Sequence, residues 1–325
     1  MYTIFKLFLV FILLGCKESP MNEPKPIINL NASKNVKSKV SLIVLGTMQD
    51  AGAPHIGCQK KCCEELFTSD HSSRKVVSLG IVDTVFRRKY LFEATPDMPV
   101  QMNYLANNSY SDSNPFVDGV FISHGHIGHY TGLMYFGKEA AAVKRIKVYA
   151  MKRMQEFLSA NGPWDRLVKT ENIILQPLKH EKSIVLTANL QVTPFLVPHR
   201  DEYTETVGFR IKGPNKTALF IPDIDKWTLW EKNIVEEIEK VDYAFLDATF
   251  FSGSELNNRD MSQVPHPFVL ESLQQFKSLS PKDRSKVYFI HFNHSNPVLD
   301  KESEQAKMVL DQGYNFASIN SIFDM

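Results

Sequence analysis

The sequence predicts an α/β fold in which two mixed β-sheets pack face to face and helices cover their outer faces. Two series of short runs rich in β-branched and aromatic residues, each followed by helical patterns, indicate this layered architecture. The 325 residues are 43% hydrophobic, which is enough to bury a sizeable core as one large domain or two small ones. Disordered and fibrous classes are therefore excluded.

Strands are predicted from these runs, and helices from apolar residues that recur three and four positions apart. The first strand series covers residues 40–46, 76–85, 89–94, 118–123 and 146–150, and the second covers 190–198, 206–211, 217–223, 243–250 and 286–292. The predicted helices cover residues 97–107, 150–160, 226–239, 266–277 and 301–312. A folded domain is thus expected over residues 40–325, after an N-terminal segment of different character.

The charge balance narrows the class of partner. The 37 Lys and Arg residues against 36 Asp and Glu residues give a net charge of +1, so there is no strong basic field to neutralise a phosphate backbone. We therefore expect a small-molecule substrate and no nucleic-acid partner. Neither a glycine-rich phosphate loop nor a Ser-His-Asp spacing stands out, which leaves a nucleotide-binding fold and a serine hydrolase without support.

The N-terminal segment predicts a lipoprotein. Residues 1–15 carry one early cation and eight consecutive apolar residues, too few to span a bilayer, and are interpreted as a signal peptide. Their end, LLGC at 13–16, resembles the bacterial lipobox, which implies cleavage before Cys16 and lipidation of its thiol. Residues 16–39 then have the composition of a flexible tether. An ordinary signal peptide or a buried N-terminal strand is the alternative.

The residue after the lipidated cysteine bears on location. It is Lys17 and not aspartate, which by resemblance to bacterial sorting rules favours the outer membrane over the inner one. The expected location is therefore the bacterial cell envelope, with the protein lipid-anchored and facing the periplasm or the cell surface.

Three of the ten histidines lie in the seven-residue stretch 123–129 (SHGHIGH), directly after a predicted strand. His124 and His126 can point to the same side of an extended loop, and His129 can reach the same place from the first turn of a helix. Imidazole is the commonest ligand of zinc, and three convergent rings leave a coordination position for water. A histidine-rich loop that binds metal only adventitiously is the alternative.

Further candidate ligands lie where other predicted strands end. His199, Asp223 and His291 each follow a strand of the second series. Each alone is typical of a polar residue that is satisfied at a strand end. Together with the three histidines after the earlier strand, they predict a metal site.

The order of these residues resembles the signature of the metallo-β-lactamase fold superfamily, which is H-x-H-x-D-H after a strand, then a histidine, an aspartate and a histidine. The flanks that carry the resemblance are LGT at 45–47, FEATPD at 92–97, VPHRDEYTETVGF at 197–209, IPDIDKW at 221–227 and IHFNHSNP at 290–297. They look most like the branch containing the pyrroloquinoline-quinone biosynthesis protein B and, more distantly, the phosphoribosyl cyclic phosphodiesterase. The resemblance implies an αββα sandwich from residue 40 to the C-terminus, with metals at one edge.

One position departs from the family pattern. Gly128 stands where the family has the aspartate that binds a second metal. The ligands that the resemblance implies are His124, His126, His199 and a bridging Asp223 for the first metal, and His129, His291 and the same Asp223 for the second. Asp50 is a conceivable substitute, although its place before Gly52 is more typical of a turn residue. One or two active-site zinc ions are expected, with iron or manganese as alternatives.

Three cysteines within six residues predict a structural zinc site. They are Cys58, Cys62 and Cys63. With Cys16 lipidated, an odd number remains that cannot pair completely as disulfides. A structural zinc needs a fourth ligand, and the resemblance implies His294 in that role, although the cysteine spacing differs from that of the family. His55 as a ligand and a disulfide from Cys58 to either neighbour are the alternatives.

Two further residues are weaker candidates. Asp247 ends a predicted strand at a position that supports the metal edge in the family, and a helix cap or turn is the alternative. His266 could approach the substrate, although a surface histidine that caps the following helix fits the sequence better. The charges at 200–202 could orient His199, contact the substrate or be solvated.

These residues predict a metal-dependent hydrolase that uses metal-bound hydroxide. A zinc-class cation lowers the pKa of bound water from about 16 to roughly 7 and polarises a phosphoryl or carbonyl oxygen. Asp223 would orient the hydroxide and His291 would hold a second metal or the leaving oxygen, so both are assigned as catalytic. By resemblance the substrate is a phosphodiester, cyclic or linear. The alternatives are an iron-dependent oxidase related to quinone cofactor biosynthesis and a non-catalytic, lipid-tethered binding protein in which Gly128 marks decay of the site.

Overall fold

The computed structural model describes residues 39–68, 74–110, 114–256 and 260–325. Its strands are β1 (Val40–Gly46), β2 (Ser78–Asp83), β3 (Arg88–Phe92), β4 (Gly119–Phe121), β5 (Ile146–Ala150), β6 (Ile173–Pro177), β7 (Ile184–Thr187), β8 (Leu190–Leu196), β9 (Val207–Lys212), β10 (Thr217–Ile221), β11 (Tyr243–Asp247), β12 (Val287–Ile290), β13 (Asn315–Phe316) and β14 (Ile322–Asp324). Its helices are α1 (Lys61–Glu64), α2 (Met98–Asn107), α3 (Ile127–Tyr130), α4 (Lys152–Ala160), α5 (Trp164–Lys169), α6 (Ile234–Glu239), α7 (Val269–Gln275), α8 (Pro281–Arg284) and α9 (Glu304–Asp311). The signal peptide, Cys16 and the tether up to residue 38, all predicted from sequence, lie outside the described residues.

The strands form two mixed sheets of seven strands each. The first has the order β14-β1-β2-β3-β4-β5-β6 and the second the order β13-β12-β11-β10-β9-β8-β7. Strands β3, β4 and β5 pair in parallel, as do β10, β11 and β12. Strand β1 runs in the direction of β3 because both pair antiparallel with β2.

Aromatic side chains fill the space between the two sheets. Phe92 stacks on Phe121 in the first sheet with ring centroids 4.8 Å apart, and Phe209 from the second sheet meets Phe92 edge-on at 5.3 Å. All three side chains are fully buried. Rings in these offset and edge-on arrangements add to the free energy gained by burial, so this layer joins the sheets into one sandwich.

Helices cover the outer face of each sheet. On the first sheet, Leu105 of α2 and Leu158 of α4 are buried in a cluster with residues of β1–β5. On the second sheet, Ile238 of α6 and Val309 of α9 are buried in a separate cluster with residues of β10–β12. The predicted αββα sandwich is therefore confirmed. Among the residues described, no helix is long and apolar enough to cross a bilayer.

The differences from the predicted elements have local causes. The helix predicted over 226–239 is shorter, because the indole of Trp230 donates to the carbonyl of Leu196 and Asn233 caps a helix that starts only at Ile234. Strands β6, β7, β13 and β14 were missed. They are short, and each lies at the edge of its sheet and pairs with one neighbouring strand, which leaves them a weak sequence pattern.

The strand directions place the candidate site. The carboxyl ends of parallel strands meet at one edge of a sheet, which is where α/β proteins bind ligands. The segments after β1 and β4 in the first sheet, and after β10, β11 and β12 in the second, open at this edge. Isolated bridges of Met48 with Val76 and with Phe292 tie the segment after β1 to the one after β12.

Candidate metal centre

The first group of candidate ligands brings three histidines onto one aspartate. His124 follows β4, His199 follows β8 and Asp223 follows β10. The Nε2 atoms of His124 and His199 lie 3.4 and 3.2 Å from Oδ2 of Asp223, and Nδ1 of His126 lies 3.3 Å from Nε2 of His199. One donor atom from each of these four residues lies within 4.8 Å of the other three. They are close enough to hold one ion.

The second group shares Asp223 with the first. His129 is in α3, His291 follows β12, and Asp50 is in the turn after β1. Oδ1 of Asp50 lies 2.8 Å from Nε2 of His129 and 3.5 Å from Nε2 of His291, and Oδ2 of Asp223 lies 3.9 and 4.0 Å from the same two nitrogens. These four donors also lie within 4.8 Å of one another. Asp50 is thus a turn residue, as its sequence suggested, whose carboxylate also belongs to the site.

A third group lies beside the other two. Nδ1 of His266 is 3.1 Å from Oδ1 of Asp223 and 2.8 Å from Oδ2 of Asp247, and Nδ1 of His291 is 3.5 Å from Oδ1 of Asp247. His266 is only 7% exposed. The surface position that we favoured for His266 from sequence was therefore wrong, because this ring is held between two buried carboxylates.

Oxygen atoms fix the orientation of the histidines. The partners of their Nδ1 atoms are Ser123 Oγ for His124 (2.9 Å), Glu93 Oε2 for His129 (3.4 Å), Asp225 Oδ1 for His199 (3.0 Å) and Thr249 Oγ1 for His291 (2.8 Å). Metal-ligating histidines almost always use their second nitrogen in this way. The arrangement leaves each Nε2 directed into the cluster.

Two of those inward nitrogens are placed to bind a cation. Nε2 of His124 and Nε2 of His291 are buried and have no hydrogen-bond partner among the residues that the structure describes. Buried imidazole nitrogens are normally bonded. A divalent metal in each of the first two groups would satisfy both, so the residues present fit the metals that the sequence predicts.

The electrostatics of the cluster also favour a cation. Burial alone would raise the pKa values of Asp50 and Asp223, but the neighbouring histidines hold both well below the usual range. Burial lowers the pKa of His124 well below its usual value, with His129 adding to the effect, so this ring is neutral and able to ligate. In the metal-free cluster protonated histidines such as His129, His199 and His291 balance the two carboxylates, and a bound metal would take the place of their protons.

The backbone at His291 is unusual. Its φ is +67°, in the left-handed region that non-glycine residues seldom adopt. Such strain persists only where the surroundings determine it, and it is concentrated at functional sites. Here the backbone bonds from Phe292 N to Thr47 O and from Asn293 N to Thr249 O, 2.8 and 2.9 Å long, hold the segment on both sides.

The predicted structural site also comes together. Cys58, Cys62, Cys63 and His294 each place a donor atom within 4.8 Å of the others. All three cysteines are free thiols, and the Sγ atoms of Cys58 and Cys62 are 4.0 Å apart, about twice a disulfide bond length. The alternative of a disulfide in this loop was therefore wrong.

His55 supports this cysteine group without belonging to it. Its ring stacks on that of His294 with centroids 4.3 Å apart, its Nδ1 lies 2.8 Å from the carbonyl of Ile56, and its backbone N–H donates to Cys63 Sγ. The alternative role of His55 as a ligand does not fit this geometry. Nδ1 of His294 is buried without a hydrogen-bond partner among the described residues.

Complete ionisation of the cysteine group would require a bound cation. Burial, followed by the charges of Cys63 and Cys58, raises the pKa of the Cys62 thiol to about 12. Three thiols this close cannot all ionise alone, and zinc requires thiolates. Burial and the nearby His55 lower the pKa of His294 to about 4, which keeps its ring neutral and able to bind metal.

The three charges after His199 have separate roles. Arg200 lines the cavity described below, Asp201 pairs with Arg153 at 3.4 Å, and a carboxylate oxygen of Glu202 lies 3.7 Å from Nε2 of His126. None of them orients His199. The side chain that orients His199 is Asp225. Sequence reasoning missed Asp225, and it also missed Glu93, Ser123 and Thr249. All four lie within two residues of a strand end or of a predicted ligand, which is the signal that could have found them.

A cavity of about 810 Å³ lies beside the metal groups. Its lining includes His266 and Thr249 as well as Cys58 and His294 of the cysteine group. Arg200 and Lys60 contribute cationic side chains, and no acidic residue lines it within the described part of the chain. The cavity can therefore admit an anionic molecule next to the candidate metals.

The sandwich and the histidine groups at its edge define a metallo-β-lactamase fold protein. The chain belongs to the β-lactamase superfamily, since the family model described as "Beta-lactamase superfamily domain" matches residues 88–292. This places it in a superfamily of metal-binding hydrolases.

Particular relatives refine the comparison. The chain is 24% identical over 302 residues to the "Coenzyme PQQ synthesis protein B" of Xanthomonas euvesicatoria pv. vesicatoria, covering 85% of this chain and 97% of the relative. It is similar to the crystal structure of Zn²⁺-bound PqqB from Methylobacterium extorquens, with a TM-score of 0.73 and 19% identity over 88% of this chain and all of that one. It also resembles a diphosphatase from the PhnP family, with a TM-score of 0.59 and 21% identity over 87% and 96% of the two chains. At these identities the structural likenesses show the fold.

Proposed function

We propose that this protein is a metal-dependent phosphodiesterase that hydrolyses small anionic phosphodiesters, cyclic or linear. One observation carries the proposal: the two ligand groups that share Asp223 lie next to the cavity. Among the described residues, the lining of this cavity includes cationic side chains but no acidic ones. A phosphodiester is anionic throughout the physiological pH range, so it would be attracted to Arg200 and Lys60.

The residues of the site have separable roles in this reaction. When bound, zinc-class cations supply hydroxide at neutral pH and polarise a phosphoryl oxygen. Asp223, shared by the groups, would orient the attacking water. Burial alone would lower the pKa of His266, but Asp223 and Asp247 outweigh it and raise the pKa to about 10. In the metal-free site His266 therefore holds a proton, and its position in the cavity lining would let it give one to the leaving oxygen.

We further propose two active-site zinc ions and one structural zinc. The first active-site ion would take His124, His126, His199 and Asp223, and the second would take His129, His291 and Asp223. The structural ion would take the four residues of the cysteine group. Its position beside the cavity supports a role in shaping the substrate site.

The test is a substrate screen joined to one ligand variant. Bis-p-nitrophenyl phosphate and cyclic nucleotides should be hydrolysed, whereas lactones and nitrocefin should not. His126→Ala should lower kcat/KM by more than the 10- to 100-fold that loss of a second-shell partner typically costs, and His180→Gln, outside the ligand groups, should leave it unchanged. Turnover of lactones or nitrocefin without turnover of any phosphodiester would remove the proposal.

A second candidate is metal-dependent oxidation. Its support is the similarity to the coenzyme PQQ synthesis protein B over most of both chains, together with an imidazole-rich site of a kind that also suits iron. Oxygen uptake by protein loaded with Fe²⁺, absent from protein loaded with Zn²⁺, would favour this candidate over hydrolysis.

We also propose that the protein is lipid-anchored in the bacterial cell envelope through Cys16. The support is the lipobox-like end of residues 1–16 and the tether composition that follows. Metabolic labelling with palmitate should mark the wild type but not Cys16→Ser, and only the wild type should fractionate with the outer membrane. Equal labelling of both would contradict lipidation at this residue.

A further inference from the structure

We propose that Asp50 is the terminal carboxylate ligand of the second metal, and that position 128 is glycine because Asp50 reaches the metal through the space of its missing side chain. Positions 50 and 128 then provide one carboxylate between them. The inference rests on the metal centre of the proposed function but not on its substrate.

The first support is steric. A Cβ atom built on Gly128 would lie 2.5 Å from Cα of Asp50, 2.6 Å from its Oδ1 and 2.8 Å from its Cγ. Real Cβ atoms essentially never come within 3.0 Å of a heavy atom that belongs to neither their own residue nor its two chain neighbours. Because one of the clashing atoms is backbone, a change of rotamer at Asp50 cannot relieve the contact. Any side chain at 128 therefore displaces Asp50.

The second support is the donor set. Oδ1 of Asp50 is 2.8 Å from Nε2 of His129, closer than Oδ2 of Asp223 at 3.9 Å. With Asp50 the second group offers two imidazoles, one carboxylate of its own and one shared carboxylate. Zinc is held most often by four ligands or by three and a water. Without Asp50, only two of the second metal's ligands are not shared with the first.

The third support is the rigidity of the turn that carries Asp50. The N–H of Gln49 donates to the carbonyl of Phe292, next to His291, and the N–H of Gly52 closes the turn onto the carbonyl of Gln49, both at 2.8 Å. Gly52 has a φ of +68°, a conformation suited to glycine. The Asp50 side chain is 13% exposed, although aspartates in turns usually face solvent. The turn thus presents the carboxylate inward.

A simple ion pair between Asp50 and a protonated His129 would give the same distances without any metal. The two accounts differ in what happens when the carboxylate is removed or displaced. If Asp50 is a ligand, deleting its side chain or filling the space at position 128 should cost the second metal. If Asp50 only neutralises His129, metal content should not depend on either position.

The experiment deletes the carboxylate and, separately, fills its space in the full chain. Zinc per chain would be measured by plasma mass spectrometry for the wild type, Asp50→Gly, Asp50→Asn and Gly128→Ala, after dialysis against zinc at a fixed free concentration. We expect three zinc ions in the wild type and two in each of these variants, because Gly128→Ala displaces Asp50 without offering a carboxylate of its own. The control Asp201→Gly removes an exposed carboxylate and should keep three. Anomalous diffraction at the zinc edge would assign the lost ion to the second group.

The outcomes are decisive in both directions. Asp50→Gly or Gly128→Ala with full zinc content, or a wild type without the second ion, overturns the inference. Retention of the first and structural ions shows that a variant is folded, and circular dichroism checks this independently. A protein that holds the second ion through Asp50 but hydrolyses no phosphodiester leaves the inference intact and removes the proposed activity.

Discussion

Removing the metals is expected to change how the free energy of unfolding of this protein depends on pH. The magnitude of the change can be calculated from the pKa of His199. Burial alone would lower the pKa of His199, but Asp223 and Asp225 outweigh it and raise the pKa to about 9. The usual histidine pKa in an unfolded chain is about 6.5. In the metal-free protein His199 therefore binds its proton more tightly in the folded state than in the unfolded state.

The sign and magnitude follow from that difference. A raised folded-state pKa contributes stability that is fully present below about pH 6.5 and is lost as the pH rises through about 9. A shift of about 2.5 units at 1.36 kcal/mol per unit corresponds to about 3 kcal/mol. His199→Gln removes this contribution, so the wild-type advantage over the variant should shrink by about 3 kcal/mol between pH 6 and pH 9.5.

The assay is urea unfolding of chelator-treated wild type and His199→Gln across this pH range. Comparing the two proteins at each pH cancels the titration of cysteines and tyrosines common to both. With zinc present the trend should reverse, because metal binding expels the histidine proton and so strengthens as the pH rises. A metal-free difference that stays constant, or grows with pH, would refute the assignment of His199 as a proton-binding residue held by Asp223 and Asp225.

Three further changes have distinct expected results. Cys62→Ser should lose one zinc while the active-site metals stay bound, as measured by metal content; loss of all metals together would contradict two separate sites. Phe209→Ala should lower the free energy of unfolding by about 3–5 kcal/mol, because it opens a cavity between the sheets, and a loss below about 1 kcal/mol in urea unfolding would argue against that packing. Asn233→Ala should cost about 1 kcal/mol by removing the side-chain cap on Val235 N of α6, with thermal unfolding as the check and Asn233→Ser as the variant that restores the cap.

The sequence could predict the metal edge because most of its ligands follow strands. A short apolar run and a polar residue at its end are both local patterns, and parallel pairing then brings the ends together. His124, His199, Asp223 and His291 were found in this way. The same reasoning predicted the sandwich, since two series of strands need two sheets to bury them.

What the sequence could not show is contact between segments far apart in the chain. Asp50 and His129 are 79 residues apart, and the turn reaches the metal edge through the bridges from Met48 to Val76 and Phe292 and the backbone bond from Gln49 to Phe292. His266 was misjudged for the same reason. It follows no strand, and its burial depends on Asp247 and Asp223, which reach it from two other segments.

The segment after β12 connects two ligand groups that we expect to behave as separate sites. His291 belongs to the second ligand group, and His294, three residues later, belongs to the cysteine group. Between them, backbone bonds anchor Phe292 to Thr47 and Gln49, and Asn293 to Thr249. None of these bonds involves the cysteine group, so His291 is expected to keep its left-handed conformation when that group is empty. Loss of the structural zinc should therefore loosen the loop over the cavity, and hence substrate binding, before it disturbs the active-site metals.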